Sequence, residues 1–230
     1  MAYPFKYHLV MPRSARLSAG GVVYHALNRA NAGTRLFLDD RDYQAFERVL
    51  AEAQARVSMR ILSYALMPNH WHFVLWPLRD GDLSEFLRWL TQTHTQRWHA
   101  YCGSAGGGHL YQGRFKSFPV EADEHFLTLC RYVERNPLTA GLVSRAEDWY
   151  WSSLWRRVHG RARKDELLAR WPVPYPLGWV DWVNRPQSQR ELDAVRGCIK
   201  RGCPFGSDGW ARRCAHHLSE KRNGVRPHLV

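Results

Sequence analysis

Apolar positions recur along this chain with two periods, and the switches between them mark out its elements. Residues 20–30, GGVVYHALNRA, alternate weakly and start β-branched, which predicts a strand. Residues 38–57 begin with an aspartate cap and place Tyr43, Phe46, Val49, Leu50 and Ala53 at helical spacing. Two apolar runs, 59–67 and 70–77, are separated only by Pro-Asn, the pattern of a hairpin. Helical spacing returns over 81–102, where Leu83, Phe86, Leu87, Leu90 and His94 share a face. A Gly-rich link over 103–113, expected to be flexible, leads to a fourth strand at 114–121. A third helix follows at 122–136, which Pro137 is expected to stop. The order β-α-β-β-α-β is the split βαβ, ferredoxin-like arrangement. It predicts an α+β fold, an antiparallel sheet with helices on one face, followed by an additional helix.

After about residue 150 the texture changes. Seven of the eleven tryptophans lie between 149 and 210, among prolines and arginines. The pattern predicts two parts: a first unit over 1–150 and a basic, helical and irregular extension over 151–230. Neither repeats nor low-complexity tracts occur.

Composition and charge narrow the class. With 45% hydrophobic and 13% aromatic residues the chain is globular, and no apolar run approaches the ~20 residues of a membrane helix. The N-terminal stretch lacks a signal-peptide core. Five irregularly spaced cysteines suit reduced thiols in a cytoplasm. The net charge is +12, and 28 of the 33 basic residues are arginine. Residues 1–150 carry 17 basic and 14 acidic side chains, against 16 and 7 in the remainder. An arginine excess of this kind attracts a polyanion, because neutralised phosphates release counterions.

Within the second hairpin strand, MPNHWHFVLWP puts His70 and His72 at i and i+2, hence on one face, with Trp71, Phe73 and Leu75 on the other. Two imidazoles so placed can converge on one divalent ion, and a third ligand must then come from another element. On the third helix, Phe126, Leu129, Cys130 and Val133 form a core stripe, while Tyr132 and Asn136 share another face. Taken singly, the two histidines could be satisfied strand residues and Tyr132 a packing tyrosine. Taken together they supply two ligands, a nucleophile and an amide.

These residues carry a family resemblance. MPNHWHFVLWP, YQGRFKSFPVEADEHFLTLCRYVERNPLTAGLV and the WSS of 151–153 resemble the single-tyrosine HUH transposases with an IS200-like domain. Among them, the REP-associated tyrosine transposases of bacteria are most similar. YHALNRANAGTRLF and GCPFGSDGW resemble the same subgroup, so the likeness runs over roughly residues 18–210. The resemblance implies that His70 and His72 hold a divalent cation, Mg²⁺ or Mn²⁺, and that Tyr132 is the nucleophile. Asn136 would stand where relatives supply a third ligand, often a longer glutamine. The implied reaction cleaves and rejoins single-stranded DNA at a palindromic hairpin through a 5′-phosphotyrosine, with no organic cofactor. The implied state is a nucleoid-associated monomer needing no protein partner.

Candidate DNA contacts are Asn28 and Arg29 in LNRAN, and Arg114, Phe115 and Lys116 in GRFK. The basic extension adds Arg156, Arg157, Arg201, Arg212 and Arg213. Three alternatives stay open: a non-catalytic DNA- or RNA-binding regulator of the same fold, a phosphoesterase using water, and a zinc site. The zinc site would use Cys198, Cys203, Cys214 and either His216 or His217.

Overall fold

The computed structural model describes residues 18–104, 108–160 and 167–222. The expectation about the extreme N-terminus lies outside them. Four strands form one antiparallel sheet: β1 (Val23–Arg29), β2 (Met59–Met67), β3 (His70–Pro77) and β4 (Lys116–Val120), in the order β2-β3-β1-β4. With α1 (Asp40–Arg56), α2 (Asp82–Tyr101) and α3 (Glu124–Thr139) interleaved, the sequence order is the ferredoxin-like one.

Both faces of the sheet are covered. Tyr24 and Ala26 of β1 and Trp71, Phe73 and Leu75 of β3 pack under α1 and α2. The five predicted apolar positions of α1 are buried, as are those of α2. Val23, Val74, Phe118 and Val120 face the other way, toward α3. Residues beyond 150 join this second core: α4 (Ser153–His159), α5 (Trp179–Asn184) and α6 (Gln189–Arg201) contribute Leu154, Trp179, Val183, Val195 and Cys198. A last helix, α7 (Asp208–Arg222), follows. No described helix is long and apolar enough to cross a membrane.

Two local expectations are corrected. Pro137 does not stop α3, which runs on to Thr139. Its ring forfeits a single backbone bond near the end of the helix, where the cost is small, and its fixed φ suits helical geometry. The segment 109–113 is not a loose link. Leu110 and Tyr111 are buried, and backbone bonds from Asn31 N to Leu110 O (2.8 Å) and from Gln112 N to Arg29 O (2.9 Å) tie it to the end of β1. The Tyr111 hydroxyl receives Trp71 Nε1 (3.2 Å) and lies 2.7 Å from His94 Nδ1.

Candidate active site

The site is built where β1, β3, β4 and α3 come together. Strand pairing sets Leu27 opposite His72 and Arg29 opposite His70, while β4 brings Lys116 opposite Leu27. His70 and His72 project from one face, with ring centroids 5.0 Å apart. From above, α3 lowers Tyr132 onto His72, edge to face at 5.9 Å and 85°. These residues, with Asn28, Arg29, Arg114, Lys116, Asn136 and Ile199, line a cleft of about 520 Å³.

Both histidines have one ring nitrogen engaged. His70 Nδ1 lies 2.7 Å from Asn69 Oδ1 in the hairpin turn; an amide oxygen only accepts, so the proton is on Nδ1 and Nε2 keeps its lone pair. His72 Nδ1 lies 2.9 Å from Nε2 of the buried His25. Only the tautomer in which His72 donates to His25 leaves the His72 Nε2 lone pair unused. Burial holds all three imidazoles neutral: His25 falls to about 3, His70 to about 4 with help from the Arg29 charge, and His72 well below the usual value. Neutral imidazoles with an oriented far nitrogen are what a divalent ion requires.

On α3, the Asn136 Nδ2 donates to the Tyr132 carbonyl at 2.9 Å, so its amide folds back along the helix. Burial raises the Tyr132 phenol pKa. Arg196, by charge and hydrogen bond, opposes the rise, with smaller help from Arg29 and Asn136. Arg196 belongs to α6, and nothing in its local sequence announces a partner on α3. His25 did carry a signal, a third histidine inside an apolar strand.

Two residues along α3 from Tyr132, Glu134 sits in a buried polar cluster. Glu134 Oε1 accepts from Ser153 Oγ (2.6 Å) and Ser63 Oγ (3.1 Å), and Oε2 accepts from Trp179 Nε1 (2.7 Å). The Ser153 Oγ also accepts from the Tyr64 N–H on β2 (2.9 Å) and lies 3.1 Å from the Tyr64 carbonyl oxygen. The WSS segment is therefore a brace: Ser152 caps α4, and Ser153 joins β2 to α3.

The remaining expected contacts divide. Arg29, Arg114 and Lys116 are exposed around the cleft, while Asn28 is buried and bonded to Gly113 O (3.2 Å). Arg201 lines a neighbouring hollow of about 370 Å³ that also contains Lys116 and Lys200. Arg212 and Arg213 are exposed on α7 and line neither. Three residues expected on DNA are interior instead. Phe115 packs in the first core. The Arg156 side chain is only 7% exposed, paired with Glu47 at 2.7 Å and bonded to Tyr64. Arg157 donates to Leu62 O (2.8 Å) and covers Trp171. Phe115 thus gains apolar burial, and the two arginines pack their stems while their guanidinium heads find protein acceptors.

The zinc grouping does not assemble among the described residues. Cys198 and Cys203 are neighbours (Sγ–Sγ 3.3 Å), but Cys214 and His216 or His217 do not join them. One group of possible ligands does gather, Glu121, Asp123 and His125, beyond the far end of β4. All three are engaged structurally: Asp123 caps α3 and holds the His125 ring (2.9 Å), and Glu121 receives Ser207 N (2.6 Å).

Residues 18–136 match the family described as IS200-like transposases. Among solved structures the chain resembles a REP-associated tyrosine transposase bound to a REP hairpin. That likeness has 20% identity and a TM-score of 0.54, and covers 72% of this chain and 95% of the other. A transposase candidate from Deinococcus radiodurans R1 is more distant, at 16% identity and a TM-score of 0.38, over 54% of this chain and 96% of that one. No curated protein matches the chain.

Proposed function

From the premise that this chain belongs to the IS200-like transposases, we propose that it cleaves and rejoins single-stranded DNA at palindromic hairpins, with Tyr132 as nucleophile. The observation that carries the reading is the contact of Tyr132 with His72, on the face shared with His70 and inside a cleft rimmed by cations. The fold likeness to a hairpin-bound REP-associated transposase supports the choice of substrate.

In this reading the Tyr132 oxygen attacks the scissile phosphorus, the phosphorus–oxygen bond to the departing 3′-oxygen breaks, and a 5′-phosphotyrosine remains. The phenolic proton passes to solvent and the departing 3′-oxygen takes one up to become a 3′-hydroxyl, while the local cations, Arg196 and Arg29, favour the phenolate against burial. The bond energy is retained in the phosphotyrosine, so a second 3′-hydroxyl can reverse the step without ATP.

The Nε2 atoms of His70 and His72, with the Asn136 amide in the same cleft, are a mixed nitrogen and oxygen donor set that suits Mn²⁺ better than the oxygen-preferring Mg²⁺. When bound, such an ion neutralises charge developing on the phosphate oxygens. His25 and Asn69 fix the ring orientations. Arg29, Arg114 and Lys116 hold the flanking phosphates.

The test is direct. An end-labelled hairpin oligonucleotide, incubated with the protein and Mn²⁺, is expected to give a denaturant-resistant protein–DNA adduct that is lost in Tyr132→Phe. Cleavage without an adduct, surviving in Tyr132→Phe, would mean that water is the nucleophile. Binding without cleavage in any ion would leave only a regulator.

A further inference from the structure

A hollow of about 900 Å³ lies beside the cleft and shares Asn28, Gln112, Gly113 and Arg114 with it. One wall is a stripe along α2, from Ser84 through Arg88 and Gln92 to Gln96. Residues spaced in this way run up one helical face for about 18 Å. The other wall is the segment 109–115. Both walls are fixed from behind: α2 by Leu83, Phe86, Leu87, Leu90 and His94, and the segment by its backbone bonds to β1 and by the buried Tyr111. The groove is thus preformed.

Its chemistry is selective. None of its lining residues is acidic, although α2 carries Asp82 and Glu85 in its first turn; both fall outside the lining. The wall is instead amides and hydroxyls, with Arg88 and Arg114 as its arginines. The other hollow that adjoins the cleft, at Lys116 and Ile199, differs, presenting Lys116, Lys200 and Arg201. Lysines act as point charges toward phosphates, whereas glutamine and asparagine offer a paired donor and acceptor that can match a base edge.

We propose that the α2 groove is a base-reading site for unpaired DNA leading away from the cleft, with Gln92, Gln96 and Gln112 on base edges and Arg88 and Arg114 on the adjoining phosphates. This assignment rests on the reading that Tyr132 acts on single-stranded DNA. Unpaired bases are required, because only they can turn their edges into a groove walled by a helix on one side and a strand-tethered segment on the other.

The experiment uses full-length Tyr132→Phe protein, which removes chemistry, and single-stranded oligodeoxynucleotides of about fifteen residues carrying 5-iododeoxyuridine. Photocrosslinks mapped by mass spectrometry are expected in residues 84–96 and 109–115. Gln92→Ala/Gln96→Ala, two exposed helical changes checked by circular dichroism, is expected to weaken binding about tenfold and to flatten the preference among base sequences. Crosslinks confined to other surfaces, an unchanged affinity in the double variant, or tighter binding of the corresponding RNA would each overturn the assignment. If these fail while the wild type still forms the covalent adduct, the groove alone is wrong. If the adduct never forms yet the groove crosslinks, the chemistry is wrong and the groove stands.

Discussion

Ser153 and Glu134 meet at 2.6 Å in the protein interior, joining a residue beyond position 150 to the helix that carries Tyr132. Glu134 is fully buried and has donors from Ser63, Ser153 and Trp179. Burial raises its carboxyl pKa, and the Arg157 charge and those donors oppose the rise. Since α3 can rotate only by breaking these bonds, the direction of Tyr132 is set partly by α4 and α5.

Glu134→Ala is therefore expected to cost stability, because it strands buried donors worth about 1–3 kcal/mol each. Thermal unfolding should show a clear drop. In the fraction still folded, adduct formation should fall more than DNA binding does. Equal losses of both would show that Glu134 does not orient Tyr132.

His25 touches His72 but does not line the cleft. His25→Leu is expected to lower Mn²⁺ affinity about 10–100-fold by releasing the His72 ring, while leaving the sheet intact. Titration calorimetry with Mn²⁺ alone measures this, and undiminished affinity would remove His25 from the ion's surroundings.

Arg196 is the cation that most offsets burial at the Tyr132 hydroxyl. Arg196→Ala should slow single-turnover cleavage at saturating DNA about 10–100-fold, with partial recovery in Arg196→Lys. A rate equal to wild type at saturation would assign Arg196 to binding alone.

Arginines that look alike in sequence should respond differently. Arg156→Ala breaks a buried pair with Glu47 and is expected to cost about 3–5 kcal/mol of stability. Arg114→Ala is expected to leave stability unchanged and to reduce the salt dependence of DNA binding by about one unit of slope. The comparison needs denaturant unfolding and binding isotherms at several salt concentrations; the opposite pattern would reverse the two roles.

His94 supplies a pH prediction away from the site. Burial lowers its pKa from 6.5 to about 3, so the folded state binds fewer protons than the unfolded one over that interval. The stability of a neutral His94 is complete above about 6.5 and is lost progressively as pH falls toward 3. His94→Leu should give a shallower acid limb, by about one proton or ~1.4 kcal/mol per pH unit, when urea midpoints are compared between pH 4 and 6. Parallel limbs would exclude His94 as a contributor.

The sequence by itself determined the element order, the apolar faces of α1 and α2, and the shared side of His70 and His72. All three follow from backbone periods of 3.6 and 2 acting on neighbouring residues. It determined less about α3, where the apolar stripe was legible but the buried Arg131 and Glu134 were not. A charged side chain reads as solvent-facing until its partners are known, and those of Glu134 come from β2, α4 and α5. Tertiary structure alone decided that Arg156 and Arg157 point inward while Arg114 points out, since a local window gives arginines no direction. It also decided that Arg196 and His25 come to Tyr132 and His72, because contacts between elements remote in the chain depend on sheet order and helix docking, which no local period encodes.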